Sequence, residues 1–135
     1  MFWQLKRIVC RKKMSTEILS QFKKQIIKFL DEMVEQFPNE GDFVVMRILI
    51  KDQYSINDVM NNFIQQVLPL KQMVKDRNDK FFLENNILFE DLDSTKVNHF
   101  KTVWRSDSLD DDDRQAMWLW FDLFIKLAEK YQRSI

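Results

Sequence analysis

The stretch Met117-Trp118-Leu119-Trp120-Phe121-Asp122-Leu123-Phe124-Ile125-Lys126-Leu127-Ala128-Glu129-Lys130-Tyr131 decides how this chain folds. On a helical wheel Asp122, Lys126, Glu129 and Lys130 fall within about 100°, and apolar side chains fill most of the other 240° or so. Leu119 lies among the polar residues. A helix apolar over about two thirds of its girth is surrounded on several sides. It is either the central helix of a bundle or a helix shared with another protein. Ser108 is placed to cap it, and Asp110 to Asp113 sit in or near its first turn, where the helix dipole favours negative charge.

Working outward, the rest of the chain also reads as helices. From Ser15 to Phe37, Ile18, Leu19, Phe22, Ile26, Phe29, Leu30, Met33 and Val34 recur at three- and four-residue spacing, with Lys24, Lys28, Asp31 and Glu35 opposite. Ser15 is the expected N-cap, and Pro38 with Gly41 ends the helix. Phe43 to Ile50 suits a buried strand by its β-branched content, but Asp42 as an N-cap and the lack of a partner strand favour helix. Arg47, among apolar neighbours, must pair with a carboxylate or reach outward. Ser55 and Asp58 resemble a capping box ahead of Ile56, Val59, Met60, Phe63, Ile64, Val67 and Leu68. Pro69 either kinks that helix or opens a successor with Leu70, Met73 and Val74. Residues 76–86 are polar except Phe81-Phe82-Leu83, and Asn85-Asn86 marks a turn. Val97, Phe100, Val103 and Trp104 line one face of a short helix. The expected architecture is all-α: one bundle of five to seven helices with a largely buried aromatic C-terminal helix.

Composition narrows the function classes. The chain has 135 residues, suited to one domain that buries roughly two thirds of its unfolded surface. No apolar run reaches the roughly 20 residues of a membrane-spanning helix. A single Gly argues against glycine-rich phosphate loops and turn-rich β-folds, which depend on positive-φ positions. One Cys and one His leave no internal disulfide and argue against most zinc sites and histidine relays.

The net charge of zero hides an asymmetry. Residues 1–14 carry Lys6, Arg7, Arg11, Lys12 and Lys13 with no acid, interleaved with Phe2, Trp3, Leu5, Ile8 and Val9, whereas residues 15–135 hold 16 basic and 21 acidic side chains. Residues 1–14 therefore read as a basic, apolar arm on an acidic domain spanning 15–135. The arm suits a membrane-surface segment, a contact to nucleic-acid phosphates, or a dispensable extension ahead of Met14-Ser15-Thr16-Glu17.

Chemistry-bearing constellations are weak. The run Asp107-Ser108-Leu109-Asp110-Asp111-Asp112-Asp113 lacks the alternating ligands, central Gly and closing Glu of a calcium loop, and helix-start carboxylates explain it. Glu90, Asp91 and Asp93 have no patterned catalytic partner, and neither His99 nor Cys10 has neighbours that make it a ligand or nucleophile. These gaps argue against an enzyme and imply no cofactor or metal. Lys96, Lys101, Trp104 and Arg105 form a small basic–aromatic patch. The acidic body weakens the electrostatic term that nucleic-acid binding needs.

Phe81-Phe82-Leu83-Glu84-Asn85-Asn86-Ile87-Leu88-Phe89, Lys96-Val97-Asn98-His99-Phe100-Lys101, Trp104-Arg105-Ser106 and Trp118-Leu119-Trp120-Phe121-Asp122 carry a likeness, extended by Gln36-Phe37-Pro38 through Lys51-Asp52-Gln53. The chain resembles, over about residues 27–131, a family of short proteins encoded by nucleocytoplasmic large DNA viruses (giant viruses). The resemblance implies a virus-made protein in the cytoplasm of the infected host cell, or in the virion, and no site residues. The expected function is non-enzymatic: contact with a protein partner or a second copy through Trp118, Leu119, Asp122 and Lys126. The alternative is a nucleic-acid-associated factor using Lys96, Lys101, Arg105 and the basic arm.

Overall fold

The computed structural model describes the backbone of residues 2–84, 104–106 and 109–135, with side chains over 13–81, 104–106 and 109–135. The described helices are α1 (Phe2–Gln36), α2 (Gly41–Ile48), α3 (Ile56–Gln66), α4 (Lys71–Lys75), α5 (Asp79–Glu84) and α6 (Asp111–Ser134). No strand occurs among the described residues, so the all-α expectation holds and Phe43–Ile48 is helical.

α1 is one continuous helix of 35 residues, about 52 Å long at 1.5 Å per residue. Ser15 therefore sits inside the helix rather than capping it, and the basic arm is a helical continuation of the same rod. The physical reason is local: no Pro or Gly precedes residue 38, and Lys, Arg, Leu, Ile and Met tolerate helix well. Pro38 supplies the stop, because it offers no N–H and disfavours helix at the residue before it. The chain turns there with the Glu40 N–H bonded to the Phe37 carbonyl at 3.0 Å.

α2 begins after Glu40, not after Asp42, which falls in the first turn. Its end widens over Leu49–Gln53 into a turn closed by the Tyr54 N–H on the Leu49 carbonyl at 2.8 Å, five residues back. Ser55 does precede α3, but its side chain makes no capping bond. Pro69 opens a short 3-10 turn, Leu68–Leu70, that hands over to α4. α5 was not legible in the polar stretch after Asp76. Its start is set by the Asn78 side chain, whose Oδ1 accepts the Phe81 N–H at 3.1 Å.

α6 starts at Asp110, which forms a full capping box: Asp110 Oδ1 accepts the Asp113 N–H at 2.7 Å, and Asp113 Oδ2 accepts the Asp110 N–H at 3.2 Å. The cap is therefore Asp110 and not the expected Ser108, which itself lies outside the described residues, as does the expected short helix ahead of Trp104. The core forms two clusters, and α6 is the wall common to both. Met117, Trp118 and Ile125 pack with Met33, Phe37, Val74, Trp104 and Leu109. Phe124, Leu127, Ala128 and Tyr131 pack with Phe22 and Met60. α1 runs antiparallel to α6: Phe22 meets Phe124 at 6.0 Å between ring centres, and Phe29 meets Trp120 and Phe121 at 6.0 Å each. Of the two readings left open by the sequence, the structure shows the central helix.

Candidate interaction surfaces

α6 presents a narrow strip to solvent. Leu119 is 58% exposed, and Lys126 and Lys130 are exposed alongside it. Trp118, proposed from sequence as a contact residue, is only 6% exposed. Its indole packs edge-on against Trp104 at 5.4 Å and 79° and against Phe121 at 6.0 Å. That is a correction: a ring so enclosed supports the fold, and its truncation would not report on a surface contact.

Asp122 is also engaged within the chain. Arg77 grips it with two hydrogen bonds, Nη1 to Oδ1 at 2.8 Å and Nη2 to Oδ2 at 2.6 Å. The same guanidinium donates to the Val74 carbonyl at 3.0 Å and lies 5.8 Å above the Trp118 ring. Bonding to Asp122 raises the pKa of Arg77 above its usual value, against the opposing effect of burial. The backbone explains how Arg77 gets there. Asn78 N–H bonds the Met73 carbonyl and Arg77 N–H the Val74 carbonyl, both at 3.0 Å, which is a Schellman ending of α4. The left-handed position of that motif usually belongs to Gly, yet here Arg77 holds it at φ 55°. The sequence reading missed Arg77; an arginine directly after a short helix carries no signal for that conformation.

Other polar ties fix the bundle's layers. Trp120 Nε1 donates to Glu32 Oε2 at 2.9 Å, and Tyr131 Oη to Asn57 Oδ1 at 2.8 Å. Arg114 reaches back to the carbonyls of Trp104 and Ser106 at 3.0 and 3.4 Å. Arg47 pairs with Asp31, the first of its two alternatives, and joins α2 to α1.

Two open grooves border α6. One, of about 390 Å³, lies between residues 14–21 of α1 and Lys130, Arg133 and Ser134. The other, of about 300 Å³, is lined by Lys71, Lys75, Asp122, Ile125, Lys126 and Glu129. Both carboxylates of the second groove are held by cations, Asp122 by Arg77 and Glu129 by Lys71 at 3.1 Å. Among the described residues no three His, Cys, Asp or Glu side chains gather as a metal site. No described helix is long and apolar enough to cross a membrane.

Of the residues assigned to nucleic acid, Lys13 and Arg105 are exposed. Lys96 and Lys101, and the side chains of Lys6, Arg7, Arg11 and Lys12, lie outside the described residues. Trp104, the aromatic member of that patch, is buried and unavailable for base stacking.

The surface that sequence reasoning did not single out is α2. Five of its eight residues are apolar (Phe43, Val44, Val45, Met46 and Ile48), yet none of the eight is fully buried. Phe43 leans on Phe37 at 6.1 Å, and Arg47 is tied to Asp31. Val44, Val45 and Ile48, with Tyr54 just beyond, stay between 41% and 51% exposed. Scattered exposed apolar side chains are ordinary; here three of them, Val44, Val45 and Ile48, share one face of a short helix. The chain matches no protein-family model, no curated protein and no solved structure.

Proposed function

We propose that this chain is non-catalytic and acts by protein–protein contact, with the apolar face of α2 as the principal surface. The single observation carrying this reading is that α2, largely apolar, leaves Val44, Val45 and Ile48 in solvent while its other side is held on α1 by Phe43 against Phe37 and by Arg47 on Asp31. Leu119 and Lys126, on the open strip of α6, form a second and smaller contact; Asp122 contributes through its hold on Arg77. The resemblance to proteins of giant viruses would set this contact in the cytoplasm of an infected cell or in the virion.

The test is affinity capture from infected cells with the intact chain and three variants: Ile48→Lys, Leu119→Asp and Lys126→Glu. Nuclease treatment serves as the control for nucleic-acid bridging. Partner recovery should fall with Ile48→Lys, fall less with Leu119→Asp and Lys126→Glu, and survive nuclease. Equal recovery by all four proteins would refute the reading, and loss on nuclease treatment would favour the nucleic-acid alternative.

A further inference from the structure

We infer that residues 2–13, the basic first third of α1, dock this chain on an anionic lipid surface, lying in the headgroup layer without crossing it. The inference is independent of the α2 contact. α1 and α6 run antiparallel, and the last turn of α6 is level with Met14: Lys130, Arg133 and Ser134 share a groove with Met14, Glu17 and Ile18. α3 runs parallel to α1 and starts at the same level, since Asn57 is bonded to Tyr131 while Phe63 meets Phe22 and Phe124. Residues 2–13 therefore continue α1 about 18 Å past both of these helices.

The register of that continuation is amphipathic. At about 100° per residue, the core stripe of α1 (Ile18, Phe22, Ile26 and Phe29) turns polar toward the N-terminus, at Ser15 and Arg11. A separate apolar arc forms from Phe2, Leu5, Ile8 and Val9 within about 120°, and Lys6, Arg7, Arg11 and Lys13 share the opposite half-circle with Trp3. Lys12 interrupts the apolar arc, a place that long-chain cations take at a membrane interface by reaching back to the headgroups. Residues 1–14 hold no acid. The structure adds exposed Lys130 and Arg133 at the same end of the bundle, where exposed Glu17 and Asp58 offset part of the charge. A nucleic-acid backbone would satisfy the cations and leave the apolar arc unused. An anionic bilayer takes both, the arc at the acyl boundary and the cations among the headgroups.

Near such a surface each Lys or Arg contributes about five-fold to binding. The test is flotation of the full-length chain with vesicles of phosphatidylcholine alone or with about 30% phosphatidylserine. The chain should float with the anionic vesicles at about 0.1 M salt, and neither with phosphatidylcholine alone nor at about 1 M salt. Lys6→Gln with Lys13→Gln should weaken binding about 25-fold. Leu5→Gln with Val9→Gln keeps every charge and should weaken it about ten-fold or more, with an unchanged circular dichroism spectrum. Absence of flotation with anionic vesicles overturns the inference. So does flotation indifferent to the Leu5 and Val9 pair, or a duplex oligonucleotide bound more tightly than the vesicles. Lipid-free self-association that is lost in the Leu5 and Val9 variant would give the arc to a second copy and overturn it as well.

Discussion

Arg77 gives the sharpest handle on the forces in this bundle, because its conformational strain and its ion pair have opposite signs. A non-glycine residue in the left-handed region costs about 1 kcal/mol relative to Gly. Against this stand two charge-assisted bonds to Asp122 of 2.8 and 2.6 Å and the approach to Trp118. Arg77 and Asp122 keep 29% and 41% of their side-chain surface exposed, so solvent screens the pair. Its coupling then falls between an exposed pair and a buried charged bond, about 1–2 kcal/mol. Arg77→Ala keeps the strained backbone and loses the pair, for a destabilisation of about 2 kcal/mol. Arg77→Gly loses the same pair but relieves the strain, for about 1 kcal/mol. The experiment is urea unfolding followed by tryptophan fluorescence, for which buried Trp118 and Trp104 are suitable reporters, with Asp122→Ala completing a double-mutant cycle. Equal destabilisation by Arg77→Ala and Arg77→Gly would refute the strain argument. A coupling below about 0.3 kcal/mol would refute the ion-pair argument.

Three further outcomes follow from the same geometry. Trp118→Ala should destabilise by about 3–5 kcal/mol in denaturant titration, whereas Leu119→Asp, one residue along, should stay within about 0.5 kcal/mol. Asp110→Ala should cost about 1 kcal/mol by removing the Asp113 N–H acceptor, visible as a lowered thermal midpoint. Tyr131→Phe should cost about 1 kcal/mol, because the Asn57 amide loses its hydroxyl partner, and Asn57→Ala in the same background should add little.

Much of the fold could be read from amphipathic spacing alone. α6 has an apolar arc so wide that only enclosure accounts for it, and the same wheel put Leu119 on its polar side, where the structure also has it. α1 and α3 were legible for the same reason, and Arg47 could be assigned a carboxylate partner because a guanidinium among apolar neighbours needs one. The caps were less legible. Ser15 and Asp42 have capping side chains, yet residues before them were also free to continue the helix, and continuation won. α5 escaped notice because its six residues complete fewer than two turns, too few to show a period. Trp118 and Leu119 differ in role through about 100° of helix rotation, and placing them required knowing which neighbours α6 meets. The α2 face escaped notice as a surface because an apolar run reads as core until the packing leaves it outside.

α6 is an enclosed pillar, whereas α2 is packed on one side only. Native-state hydrogen exchange on the intact chain tests this difference directly. Amides of Met117–Tyr131 should exchange only through global unfolding, and those of Gly41–Ile48 should open locally at much lower free energy. Amides of α6 that exchange faster than those of α2 would contradict it.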